Sequence, residues 1–253
     1  MTAHAPTKYS LPHPVDVAAI ERELVELWRD PDRDPTTQQS ITRACMSNLL
    51  IYAPTVEAAQ DIPDEIGIIV RHHPARVLLL VGESNTGGAA VQANVSAYCS
   101  LLGGDRQVCS EYITITAAGH ATERLPSVAR SLLIGDLPTS LWWAVPQPPP
   151  QGGALFQELA RMSGQIIYES QGWLDPVRGV IAAADWAASE ETSQVLADLE
   201  WRRLKTWRRL ISQTLDPTVL PGALESITEV RFEHGPHALA KTWMLVGWLA
   251  CKL

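Results

Sequence analysis

Phenylalanine is nearly missing from this chain: two residues in 253, against nine tryptophans. Other absences narrow the field. No apolar run reaches the ~18 residues that a membrane-spanning helix needs. The most apolar stretch, residues 238–253, carries Lys241 and Lys252 and reads as a buried helix. The opening MTAHAPTKYSLPHP has no apolar segment of the secretory kind, so the expectation is a cytoplasmic protein without a leader. The four cysteines (Cys45, Cys99, Cys109 and Cys251) show no CxxC and no zinc spacing, as expected of a reducing compartment. Excess positive charge is lacking too: 20 Lys and Arg face 28 Asp and Glu, for a net charge of −8. General nucleic-acid binding needs a basic footprint, so it is not expected, and neither is membrane binding.

What is present suits a folded globular chain, with 46% hydrophobic and 19% charged residues. Tryptophan buries a large area yet keeps one N–H, so it serves cores and interfaces alike; core is the first expectation. Val17, Ile20, Leu24 and Leu27 recur at helical spacing behind Asp16, which predicts a capped helix over 16–29. DPDRDP (30–35) breaks the chain. A strand is expected over 44–52, then a helix over 56–70 interrupted by Pro63. HPARVLLLVG (73–82) is a continuous apolar run closed by glycine, the mark of a strand buried on both faces. Strands over 93–101 and 108–117 flank GGDR (103–106) as a hairpin, which would set Cys99 opposite Cys109.

Further helices are expected at 123–133, 155–162 and 176–188, and strands at the end of DLPTSLWWAV (136–145) and at QIIYES (165–170). VPQPPPQGG (145–153) is a stiff proline loop. Residues 198–216 read as one strong helix with Leu204, Trp207, Ile211 and Leu215 on one face. Alternation over 226–233 suggests a strand, and a last helix runs from Pro236 to Leu253. The pattern predicts an α/β fold: a mixed, mostly parallel sheet covered by helices, with an inserted β-hairpin and an α-rich C-terminal part. A boundary near 190 divides an α/β domain (1–190) from an α-α-β-α subdomain (191–253), packed separately or as one.

No reactive constellation emerges. GESNTGGA (82–89) follows a buried strand, where a phosphate loop would sit, but it lacks the P-loop lysine and the GxGxxG spacing. There is no GxSxG elbow and no SxxK, and Cys109 has no nearby histidine. His72 and His73 are adjacent, and His234 and His237 flank a Gly-Pro turn, so neither pair has ligand spacing. No cofactor, metal or catalytic residue is expected. Three features stand apart. Arg202, Arg203, Lys205, Arg208 and Arg209 crowd one helix beside Trp201 and Trp207, either as a solvated face or as a docking surface. Trp142 and Trp143 must face opposite sides of a strand. Cys99 and Cys109 are either packed thiols or a redox pair.

HPARV (73–77), CSEYI (109–113), LLIGDLPTSLWW (132–143), DLEWRRLKTWR (198–208) and LVGWLACKL (245–253) together resemble the OpcA family of glucose-6-phosphate dehydrogenase assembly proteins. The resemblance runs from His73 onward. It implies a non-enzymatic partner of the oxidative pentose phosphate pathway that promotes the active oligomer of that dehydrogenase, as an allosteric activator. It supplies no catalytic residues. Anchors from the 198–209 helix and the 136–143 segment, chiefly tryptophan and arginine, are the contacts expected with such a partner: Asp136, Trp142, Trp143, Trp201, Arg202, Arg203, Trp207 and Arg208. Family members usually continue past the GWLA helix, so the expectation here is a short form whose binding differs. The alternative is a sugar-phosphate- or nucleotide-binding protein or enzyme that uses the 82–89 loop, with Arg76 or the arginine helix as a clamp.

Overall fold

The computed structural model describes residues 8–9, 13–27, 40–43, 45–84, 87–101, 106–189 and 193–252. The DPDRDP break and the GGDR turn before Arg106 lie outside the described residues. The chain divides into two compact units, Met1–Val145 with Gln157–Ile166, and Pro146–Phe156 with Ile167–Leu253.

The first unit is built on a mixed, mostly parallel sheet. Its elements are β1 (Lys8–Tyr9), β2 (His13–Pro14), α1 (Val17–Leu27), β3 (Ser40–Arg43), β4 (Ser47–Ala53), α2 (Ile62–His72), β5 (Ala75–Glu83), β6 (Val91–Leu101), β7 (Arg106–Ala118), α3 (Leu125–Leu132) and β8 (Thr139–Trp143). α4 (Gly153–Ala160) and β9 (Gln165–Tyr168) each carry the chain across the division. β5 is central and runs parallel to β4 and β7; β4 is also parallel to β8, and β3 to β7. β6 folds back antiparallel on β7, and β1 and β2 pair antiparallel with β6.

Each helix starts where the chain supplies a reason. Asp16 caps α1 by accepting from the Ala18 N–H at 3.0 Å. Pro63 sits in the first turn of α2, after a separate 3-10 turn at Glu57–Ala59, so the proline restarts the helix instead of kinking it. One face of the sheet presents Leu49, Ile51, Val77, Leu79 and Val81 to Ile62, Ile66 and Val70 of α2. Tyr98 and Tyr112 close this cluster edge to face, their ring centroids 5.3 Å apart. The Tyr98 hydroxyl donates to the Pro63 carbonyl at 3.1 Å; burial first and the Asp64 charge second push it up to about 12.

Alternation along the strands turns Leu78, Leu80, Ile113 and Ile115 to the opposite face, where all four are buried. α1 and α3 lie on this face, and Arg76 fastens them to it. Its Nε donates to Glu111 at 2.6 Å, and its Nη1 donates to Glu21 of α1 and to the Leu132 carbonyl of α3, each at 2.7 Å. Arg76 and Glu111 are both buried and are register partners on β5 and β7. Desolvation opposes the Arg76 charge most strongly, but the two carboxylates outweigh it and hold its pKa above the ordinary value.

The second unit is α-rich. After β9 come α5 (Pro176–Ala188), β10 (Val195–Asp198), α6 (Leu199–Arg203), α7 (Lys205–Thr214), α8 (Ala223–Ser226) and α9 (Leu239–Ala250). Trp173 stacks on Tyr168 and packs against Gly179 of α5, where an added Cβ would come within 2.3 Å of the ring. Phe156, wholly buried, meets Trp186 edge to face.

Three expectations are corrected here. The helix expected over 198–216 breaks at Leu204 into α6 and α7, and α7 buries none of its residues; of the four residues expected on one face, only Leu204 is buried. The strand expected over 226–233 is the end of α8 followed by irregular chain, with Val230 exposed. Alternation needs a neighbouring strand to become a ladder, and 226–233 pairs with none among the described residues. The last helix starts at Leu239, after a turn containing Pro236, and is not buried all round: Trp243 and Val246 are exposed.

The Arg76 cluster yields a prediction. Glu111→Ala removes the buried partner of a buried guanidinium and should destabilise the first unit by about 3 kcal/mol. Denaturant unfolding checks this; a change below about 0.5 kcal/mol would show that Glu21 alone suffices.

Candidate functional site

The DLEWRRLKTWR segment becomes a surface through what it buries. Asp198 caps α6, its Oδ1 accepting from the Glu200 N–H at 2.9 Å and from the Ser170 N–H at 3.3 Å. Burial pushes the Asp198 carboxyl above its ordinary range, against the pull of the Ser170 hydrogen bonds. Glu200, one residue into the helix, is 1% exposed, and its carboxylate is paired with Arg203 of α6 and Lys241 of α9. Arg203 also reaches Glu169. Leu204, at the break, is buried too, while the hydrogen bonds Leu204 N–H to Glu200 O (3.0 Å) and Arg208 N–H to Leu204 O (2.9 Å) carry the helical path across it.

The other side of α6 and α7 is open. Trp201 is half-buried, and the Arg208 guanidinium stacks over its ring at 3.3 Å from the centroid. Desolvation first, and the neighbouring Arg202 charge second, lower the Arg208 pKa from its ordinary value. Its Nη1 meets no hydrogen-bond acceptor among the described residues. Trp207 is 61% exposed and Leu210 49%. Arg202, Lys205 and Arg209 are exposed and form no ion pair among the described residues. Tryptophan and arginine on one helix, with apolar area and charge both unspent, are what a docking face is made of.

The remaining expected contacts sit elsewhere, in the first unit. Asp136 adopts a left-handed backbone, φ 63°, in the turn before β8, a conformation that aspartate tolerates. Buried Asn48 holds that turn, donating to the Ile134 carbonyl at 2.9 Å and accepting from the Ile134 N–H at 3.0 Å. Trp142 is half-buried and packs against the α2 cluster. Trp143 is 3% exposed and stacks on Tyr52 at 4.8 Å. As a partner contact, Trp143 is therefore corrected to a core residue: β8 turns its ring inward.

The features reserved for small-molecule chemistry do other work. Arg76 is committed to Glu111 and Glu21 and is buried, so the idea of it as a phosphate clamp is corrected. In the 82–89 loop, Gly82 lies under Tyr52, where a Cβ would meet the hydroxyl at 2.7 Å, and Glu83 accepts from the Val56 N–H at 2.8 Å. A carboxylate at that position opposes an anion. Among the described residues no group of three His, Cys, Asp or Glu is placed to hold a metal, and no helix is long and apolar enough to cross a membrane. Cys99 and Cys109 face each other in the β6–β7 register and are joined by a disulfide, with Cα atoms 4.0 Å apart. Glu200 and Lys241 were not singled out from sequence. The available signal was Glu200 two residues after the capping Asp198 and three before Arg203, a spacing at which ion pairs form on a helix.

These features define a two-unit α/β protein whose most unspent chemistry is a tryptophan–arginine helix face. The glucose-6-phosphate dehydrogenase subunit N-terminal domain family matches residues 67–185, and the corresponding C-terminal domain family matches 194–253. The chain belongs to the OpcA family of glucose-6-phosphate dehydrogenase assembly proteins. It is 30% identical over 252 residues to the OxPP cycle protein OpcA of Nostoc punctiforme, covering 94% of this chain and 52% of that one. The proteins of the same name from Synechocystis sp. (32% over 208 residues) and Synechococcus elongatus (28% over 224) are covered to 41% and 48% of their length, against 80% and 87% of this chain. The chain thus spans about half the length of these relatives.

Glu200→Ala would leave Arg203 and Lys241 without their buried counter-charge and should cost about 3 kcal/mol. Trp207→Ala should change stability by less than about 0.5 kcal/mol, because it removes a side chain that packs on little. Thermal unfolding of both variants checks the contrast; equal losses would contradict it.

Proposed function

We propose that this chain is a non-catalytic, cytoplasmic protein of the oxidative pentose phosphate cycle that binds glucose-6-phosphate dehydrogenase and promotes its active oligomer, without a cofactor of its own. The observation that carries this reading is the match to the two subunit-domain families over residues 67–185 and 194–253. The α6–α7 face supports it independently of the family: Trp207 is well exposed, and cations without internal partners stand beside it. Trp201, Arg202, Arg203, Trp207 and Arg208 are the contacts proposed there, and Asp136 and Trp142 those proposed in the first unit.

Binding alters activity only if the active form of the dehydrogenase binds this chain more tightly than the inactive form. A preference of about 2 kcal/mol raises the active-to-inactive ratio about 30-fold. Mixing the purified chain with its own organism's dehydrogenase should give a larger species on size exclusion and a higher rate at low substrate. No complex and an unchanged rate would reject the proposal.

The Cys99–Cys109 cross-link favours one addition, that reduction loosens the β6–β7 hairpin and weakens the complex. Cys99→Ser should then bind like the reduced chain and no longer respond to dithiothreitol. Equal binding by the oxidised, reduced and Cys99→Ser forms would remove the redox reading.

A further inference from the structure

The α6–α7 surface is out of keeping with the chain that carries it. The whole molecule has a net charge of −8, yet residues 201–215 contain five basic residues and no acidic one. One of the five, Arg203, is neutralised within the fold by Glu200 and Glu169. Arg202, Lys205 and Arg209 have no counter-charge among the described residues, and neither has Arg208, stacked on Trp201. Like charges three and four residues apart on a helix repel, so the fold gains nothing from this arrangement. Glutamates, abundant elsewhere in the chain, would relieve the repulsion, and none is placed there. Apolar area stands at the same place: Trp207 and Leu210, three residues apart, are both about half exposed or more.

From this charge pattern we infer that α6–α7 docks onto an acidic surface of the dehydrogenase, a cluster of carboxylates around an apolar recess that takes the Trp207 ring. The inference rests on the proposed partnership and adds the chemistry of the surface that is recognised. Arg208 stacks on Trp201 and adds its charge to the same surface. Arg202, Lys205 and Arg209 supply the long-range attraction that speeds encounter and fades with salt. Trp207 supplies the apolar anchor, whose contribution does not fade.

The test uses the full chain and its own dehydrogenase in a surface-binding assay at low and high salt. The wild-type complex should weaken at least tenfold between about 50 and 500 mM salt, mostly through slower association. The triple variant Arg202→Glu, Lys205→Glu, Arg209→Glu, checked by circular dichroism for an intact fold, should lose at least tenfold in affinity at low salt. Trp207→Ala should lose a similar factor while keeping the salt dependence. A triple variant that binds as tightly as the wild type would overturn the inference and leave the partnership standing. Wild-type self-association that the triple variant abolishes, with binding to the dehydrogenase intact, would assign the face to a second copy and overturn it as well. No wild-type complex under any condition would remove both.

Discussion

Burying a carboxylate is costly unless opposite charges meet it, and Glu200, 1% exposed, is met by two. Arg203 reaches it from the same helix and Lys241 from α9. Desolvating the carboxylate would cost several kcal/mol without them, so α6 is committed to the orientation that brings all three together. That commitment decides which way the segment faces. With Glu200 and Leu204 turned inward, Arg202 and the length of α7 are left outward. The aromatic and cationic surface is the far side of a buried ion pair. The capping Asp198 belongs to the same device, since it sets where the helix begins and thereby which residues fall on which side.

The first unit solves a different problem with similar means. β5 is buried on both faces, by α2 on one and by α1 and α3 on the other, so a strand of nearly unbroken aliphatic character suits its place. One cation interrupts it. Arg76 ties two strands and two helices through Glu111, Glu21 and the Leu132 carbonyl. Asn48 does neutral work of the same kind, holding the turn around Asp136 ahead of β8. In both units the buried polar groups position the segments that the family comparison marks, and the chemistry they hold is structural.

How much of this could be read from the sequence depended on whether a feature is local. The β5 strand was legible because a run such as RVLLLV has few ways to be satisfied. The cysteine register was legible from the symmetry of a hairpin. For the helix face of 198–216, amphipathic spacing tells which residues share a side, not whether anything covers that side. Here Trp207 and Leu210 stay open. The alternation at 226–233 failed for the related reason that a strand needs an edge to pair with. Arg76 looked available as a clamp, and only the register of β5 against β7 showed its charge already spent on Glu111. Trp142 and Trp143 were placed on opposite faces correctly, but which of them the core would take was not legible.

A protein that acts by offering a surface should show it as a footprint. Hydrogen exchange of the chain, alone and mixed with the dehydrogenase, tests that most directly. The account predicts that amides of residues 201–214 slow on mixing, while the interior strand β5 exchanges as slowly in both states. Protection that appears only elsewhere, with the α7 amides unchanged in a complex that has demonstrably formed, would contradict it.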